Sequence, residues 1–351
     1  VRDDLRALVD KLGELSDWTD GEGRSAFDCP LEEATDDPEI RRLDAMSLGD
    51  YIESLGLRRE VGKLFDPALK SAYGLGHDRV SAWAGADFAA DEAFPADPGQ
   101  GSLCFPGGNA FLADNLVRRL GPERLLPGAF VTEVREKEGE VRVGVVTGAK
   151  TRTLRARAVV FAAPQFMAPY LIPELPAEKK VAAKSLEYTP FVVANVMVSR
   201  TPPELAYSNQ LYGDFGLSDF ILADWAGLRE PEAAPLSRPN ALTAYWPLEA
   251  KERGYVLSGS SLADWEKKIV GDLERCLPGV GSTVTGFYLY RWGHAFAAPV
   301  KGSLFSPARQ AAKRPSRRIS FACADVEGIP TVDHAMAAGL RSAYEIGRLL
   351  G

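Results

Sequence analysis

Asp325 stands between a short apolar run, residues 319–323, and an amphipathic stretch that opens near Thr331, in the segment ISFACADVEGIPTVDHAMAAGL. A carboxylate and a Gly328/Pro330 turn between a strand and a helix start put backbone N–H groups and a helix dipole in front of a polar ligand, often one bearing phosphate. Asp325 could equally cap that turn or the last helix. The chain has three histidines. His294, two residues after Trp292, reads either as a satisfied structural histidine or as a group facing a substrate. His334, one turn into the last amphipathic stretch, reads as a surface residue, with a lining role as the alternative. His77, in GLGHD, has no partner in sight and is assigned to a turn. Asp219 and Asp224, in LSDFILADW, read as exposed loop acids, the alternative being attraction of a cationic amine. Four cysteines, Cys29, Cys104, Cys276 and Cys323, are scattered without metal-ligand or CxxC spacing. Neither a zinc site nor a disulfide scaffold is expected, and a reducing, cytoplasmic compartment is.

The elements that must position these groups are legible in outline. The chain opens in a helical pattern (Leu5, Leu8, Val9, Leu12, Leu15) with no initiator Met, as if entered in the middle. SLGDYIESLGL starts a helix with Ser47 as N-cap, and a helix over about 110–120 follows the Gly-rich FPGGN turn. AFVTEVREKEGEVRVGVVTGAKTRTLRARAVVFAAP holds three strand-like runs; the last, RAVVFAAP, is apolar enough for a buried parallel sheet. PFVVANVMVS, ALTAYWPL and GFYLYRW read as further strands, and SLADWEKKIVGDLERCL as a helix capped near Ser261. The basic residues 313–318 read as a solvated loop.

Composition narrows the class. The 351 residues suit about two domains, 46% of them are apolar, and the net charge is −7. Acidity argues against nucleic acid or an anionic membrane as partner, and no apolar run of about 18 residues crosses a bilayer. The order of segments predicts a discontinuous α/β protein: a helical part over 1–99, a β-rich part over 100–170, a mixed part over 171–284, and a closing strand–turn–helix over 285–351.

Four stretches, FPGGNAFLADNLVRRL, AFVTEVREKEGEVRV with RARAVVFAAP, LYRWGHAFAAPVKG, and ISFACADVEGIPTVDHAMAAGLRSAYEI, together resemble the flavin-dependent amine oxidase superfamily, the last most like its spermidine dehydrogenase-like branch. The resemblance implies a Rossmann-type FAD domain interleaved with a mixed α+β substrate domain, and an oxidoreductase acting on a small molecule, an amine. It implies that the backbone of Val131 holds the adenine and that Ala162, Ala163 and Pro164 pass close to the cofactor. Asp325 would stand by the ribityl and pyrophosphate region, with Thr331, Val332 and Ala335 beside the flavin ring. Trp292 and His294 would face ring and substrate. From residues alone, Val131 is a strand valine.

Two features depart from the pattern. The sequence holds no GxGxxG, the glycine pattern that lets backbone meet a pyrophosphate; GLGHDRV and GVGSTVTG both lack the third glycine. The first βαβ unit is therefore expected outside this sequence, on a preceding segment or a second chain, unless flavin binding was lost. Ala194 or Asn195 stands where many amine oxidases carry a Lys, which favours a dehydrogenase over an oxygen-using oxidase. Rival readings are an isoprenoid desaturase or isomerase or a porphyrinogen oxidase of the same fold, kept open by the apolar FGLSDFILADWAGL, and a non-redox binding protein resembling the Rab GDP-dissociation inhibitors. No metal ligand set is expected.

Overall fold

The computed structural model describes residues 1–93, 105, 108–200, 205–223 and 239–351. Asp224, Trp225, Cys104, Pro106 and Gly107 of FPGGN, and the expected boundary near residue 100 lie outside the described residues.

A helical lobe comes first: α1 (Arg2–Ser16), α2 (Pro38–Arg42), α3 (Leu48–Ser54), α4 (Asp66–Tyr73) and α5 (Ala82–Ala93). Its core gathers Leu8, Leu12 and Leu15 of α1 with Leu48, Ile52, Leu69 and Trp83, the one-sided apolar spacing that makes α1 amphipathic. Ser47 and Asp50 form a reciprocal capping box that starts α3.

After α6 (Ala110–Leu120), three antiparallel strands follow: β1 (Ala129–Lys137), β2 (Glu140–Thr147) and β3 (Lys150–Ala156). The β1–β2 turn has positive φ at both Glu138 (55°) and Gly139 (79°), the pairing whose twist suits a two-residue hairpin. Here the sequence reading is corrected: its third run is two strands. Arg157 and Ala158 part β3 from β4 (Val159–Phe161), and only β4 leaves the meander, to pair in parallel with β10 (Ile319–Phe321). The helices α7 (Ala168–Leu171) and α8 (Ala177–Ser185) lead from β4 to the large sheet.

That sheet is antiparallel, ordered β6 (Ser208–Gln210), β7 (Asp219–Leu222), β8 (Asn240–Pro247), β5 (Tyr188–Val198), β9 (Val284–Ala297). One face buries Val192, Ala194 and Val196 under Trp265, Ile269 and Leu273 of α9 (Leu262–Cys276). Ser261 caps α9 with a capping box, as its sequence predicts. Register puts the alternate residues on the opposite face: Trp292 opposite Phe191, Tyr290 opposite Val193, Tyr288 opposite Asn195. Trp292, Tyr290 and Tyr288 are all exposed there. Phe220 and Leu222, in the apolar segment that kept the desaturase, isomerase and porphyrinogen oxidase readings open, are buried in the core behind the sheet.

The chain closes through α10 (Pro307–Lys313), β10, α11 (Ala324–Glu327) and α12 (Val332–Leu350). Among the described residues, two apolar helix faces stay uncovered. No residue of α6 is buried, and Leu112, Leu116 and Leu120 are exposed. On α12, Val332, Met336, Leu340 and Tyr344 recur every fourth position and are all exposed. No described helix is long and apolar enough to cross a membrane.

Candidate cofactor and substrate site

The parallel pair β4–β10 sets the site, because the strand-end loops of both strands open on the same side. Ala162 to Pro164 leave β4 and Asp325 follows β10; the Gln165 N–H donates to Asp325 Oδ2 at 2.9 Å, joining the two loops. The second donor to that oxygen is the Tyr188 hydroxyl at 2.5 Å, from the first residue of β5. Asp325 therefore ties the parallel pair to the large sheet. Burial raises the Tyr188 pKa well above that of a free phenol, and the adjacent carboxylate adds to it, so the hydroxyl stays a donor. Cys323 is pushed up to about 12 by burial and then by Asp325, which leaves an inert thiol.

His294 reaches this cluster through a bulge. Between Phe191 and Thr189 of β5, two steps along that strand face four along β9, from Trp292 to Phe296. The extra residues bend β9 and re-aim its side chains. Arg253 fixes the bend, donating to the Gly293 carbonyl (2.7 Å) and the Tyr188 carbonyl (2.7 Å). The imidazole stacks on Phe166 at a centroid distance of 4.1 Å and meets Tyr188 edge-on at 5.7 Å. Its pKa is lowered, by burial first and by Arg253 second. The fold thus favours the neutral ring, and as pH falls below about 6.5 the unfolded chain takes up the proton first. This stability is complete above that pH and is lost as pH falls through it towards the lower folded value. His294→Phe keeps the stack and removes the titration. Its thermal midpoint, followed by circular dichroism, is expected to drop less between pH 7 and pH 5 than that of the unsubstituted protein; equal drops would refute the assignment.

The other expected site residues divide into two groups. Ala162, Pro164, Thr331, Val332 and Ala335 are exposed, and Ala163 is half-buried. Small side chains at strand ends and at a helix start leave room for a flat ring to approach backbone. Val131 lies on β1, where its side chain packs against the core holding Phe161 and Phe321. Trp292 is 56% exposed on the aromatic face of the large sheet, opposite Phe191. The sequence reading missed Tyr188, Gln165, Phe166 and Arg253. No local spacing announces them: the Tyr188–Asp325 contact joins residues 137 positions apart.

Four assignments are corrected. His77 has a partner, Asp66, whose carboxylate lies 2.8 Å from Nδ1 and also accepts the His77 N–H. Asp219 is not an exposed loop acid: it is buried in β7, where it accepts the Ser218 hydroxyl, and burial raises its pKa. His334 is 4% exposed rather than on the surface. Lys313, taken as part of a solvated loop, closes α10 and pairs at 2.5 Å with the buried Glu327. Beneath the site, Arg341 pairs with the same Glu327 at 3.1 Å and donates to the Phe321 carbonyl at 2.7 Å, holding α12 on β10.

Comparisons with known proteins agree with this architecture. Cyclohexylamine oxidase from Brevibacterium oxydans IH-35A shares the fold with a TM-score of 0.69 at 16% identity, covering 100% of this chain and 75% of that one. Putrescine oxidase bound to putrescine superposes with a TM-score of 0.68 at 17% identity, covering 99% of this chain and 75% of that one. A curated relative, "Oxidoreductase PigB" of Serratia sp. (strain ATCC 39006), is 22% identical over 321 residues, 85% of this chain. The chain spans less than half of that relative's length, 46%. The family model for flavin containing amine oxidoreductases matches residues 9–347. By that match the chain belongs to the flavin containing amine oxidoreductases, and its cofactor is FAD.

Proposed function

We propose that this chain carries the substrate lobe and the ring-facing half of an FAD-dependent oxidoreductase that oxidises a small amine. The observation that carries the reading is the Asp325 cluster, a carboxylate held by Gln165 and Tyr188, with exposed small residues at 162 and 164 on the loop it ties and at 331 and 335 at the start of the next helix. Bound flavin would accept a hydride from the C–H beside the amine nitrogen.

The chain's own residues orient and shield. Tyr188 and the Gln165 N–H hold Asp325 for the cofactor, and the stacked Phe166–His294 pair forms a dry wall next to it. Trp292, Tyr290 and Tyr288 offer an aromatic face on which an amine's carbon skeleton packs, excluding water. The neutral His294 adds no positive charge against a cationic amine. This constellation supplies position rather than a dedicated proton acceptor. A βαβ unit bearing GxGxxG, on a preceding segment or another chain, suits the uncovered apolar faces of α6 and α12. Its N–H groups would take the pyrophosphate.

The test is a visible spectrum of the protein, with intact mass of every polypeptide present, before and after anaerobic addition of amines. Flavin bands that bleach with an amine, together with a polypeptide carrying the Gly-rich unit, are the expected result. A protein that stays colourless after incubation with FAD in the presence of that unit would overturn the reading.

A further inference from the structure

We propose that Cys29, Asp333 and His334 form a binding site for one zinc-class divalent cation at the start of the closing helix, held by side chains to which the flavin reading assigns no role. Cys29 comes from the loop between α1 and α2; the other two come from the first turn of α12. One sulfur, one carboxylate oxygen and one ring nitrogen lie within 4.8 Å of one another. Donors around a tetrahedral zinc sit roughly 3.3–3.8 Å apart, given bonds of about 2.0–2.3 Å. The three atoms therefore close on an ion by small side-chain rotations, without backbone movement.

The second observation is a buried, unused ring atom. His334 is 4% exposed, and its Nε2 has no hydrogen-bond partner. Burying an unsatisfied polar nitrogen is costly, and such an atom in a cluster of donors points to a missing ligand. Its Nδ1 lies 2.8 Å from the Thr331 hydroxyl and 3.7 Å from Asp333 Oδ2. With Nδ1 held by the Thr331 hydroxyl, Nε2 is the ring nitrogen left to take the ion.

The donor set selects the class of ion. Thiolate, imidazole and carboxylate together suit a borderline-soft cation and not magnesium or calcium, which take oxygen shells. Cys29 is a free thiol and supplies the sulfur of this set. The fourth position opens on a cavity of about 910 Å³, lined also by Glu33, Met336 and Arg341, which has room for a bound water. Three protein ligands from two separate parts of the chain make a clasp: the ion would pin the start of the closing helix to the helical lobe.

The experiment titrates Zn²⁺ into chelator-treated protein against a chromophoric competitor, with and without bound flavin. One Zn²⁺ per chain is expected, unaffected by excess Mg²⁺, with the flavin spectrum unchanged. Loss of an outer-shell partner weakens metal sites by about 10–100-fold, so Cys29→Ser and His334→Gln should each weaken binding by at least ~100-fold, while Cys276→Ser leaves it unchanged. Folding of each variant is checked by circular dichroism. If a variant misfolds, alkylation of the unsubstituted protein at Cys29, located by peptide mass, must abolish the thiolate-to-cobalt charge-transfer band of the Co²⁺ form. Absence of one-to-one binding, or equal affinity after loss of the Cys29 sulfur, overturns the site. Neither failure bears on the flavin reading, which its own spectrum decides.

Discussion

Glu327→Ala is expected to cost about 3–5 kcal/mol of stability, because it strips the counter-charge from buried cations. Glu327 is 1% exposed and takes Lys313 at 2.5 Å and Arg341 at 3.1 Å. Arg309, 3% exposed, lies in the same cluster, bonded to the Val326 and Glu327 carbonyls and 3.6 Å from Glu32. Without the carboxylate, Lys313 and Arg309 keep only the half-exposed Glu32 and Arg341 keeps Glu345 at 2.8 Å, so three cations share two partly exposed acids. Removing Glu14, whose pair with Lys11 is open to solvent at 2.6 Å, should change stability by less than about 1 kcal/mol. Urea unfolding of the two variants side by side measures the contrast; similar midpoints would show that the buried cluster contributes no more than a surface pair.

The second large effect falls on the cofactor. Asp325→Ala should weaken FAD binding ~100-fold, in line with about 1.5–3 kcal/mol for each hydrogen bond to a charged group. It removes the carboxylate offered to the ligand and leaves the Gln165 N–H and the Tyr188 hydroxyl without their acceptor. Tyr188→Phe is the finer probe. It keeps the ring against Phe166 (5.1 Å) and His294 (5.7 Å) but deletes one of the two donors that fix the carboxylate. A loss of ~10-fold is expected, roughly the 1.4 kcal/mol that one such bond contributes. Flavin fluorescence titration of the protein complete with its Gly-rich unit gives both values. Unchanged affinity in a folded Asp325→Ala protein would remove Asp325 from the site.

Local signals in the sequence were read well where the structure they specify is local. Ser47 and Ser261 announce helices because a capping box closes within four residues. The helix Ala110–Leu120 and the closing β10–turn–α12 follow from apolar spacing next to glycine. The β3–β4 division was hidden because Arg157 and Ala158 make a break too short to stand out between two β-prone runs, while the change from antiparallel to parallel pairing depends on β10. Asp219 and His334 were misplaced because the packing that buries them is not visible in local spacing, whereas His77 sits in the expected turn and only its partner Asp66, eleven positions earlier, was missed. Gly62 lies so close under the His77 ring that an added Cβ would meet it at 2.4 Å, a contact that no spacing rule foresees. Asp325 stands out in the sequence because strand, acid and helix are neighbours there, whereas its two donors lie far from it along the chain.

The hydrogen bond from Gln165 to Asp325 joins positions 160 residues apart, and the described residues between them include the large sheet, α9 and α10. Closing a loop of that length costs only logarithmically more than closing one of half the length. The two-stranded parallel seam is therefore nearly indifferent to how much chain is strung between its halves. Insertions and deletions in the intervening segment can reshape what the protein binds while the seam stays in register, so this architecture can diversify its specificity without rebuilding its cofactor grip.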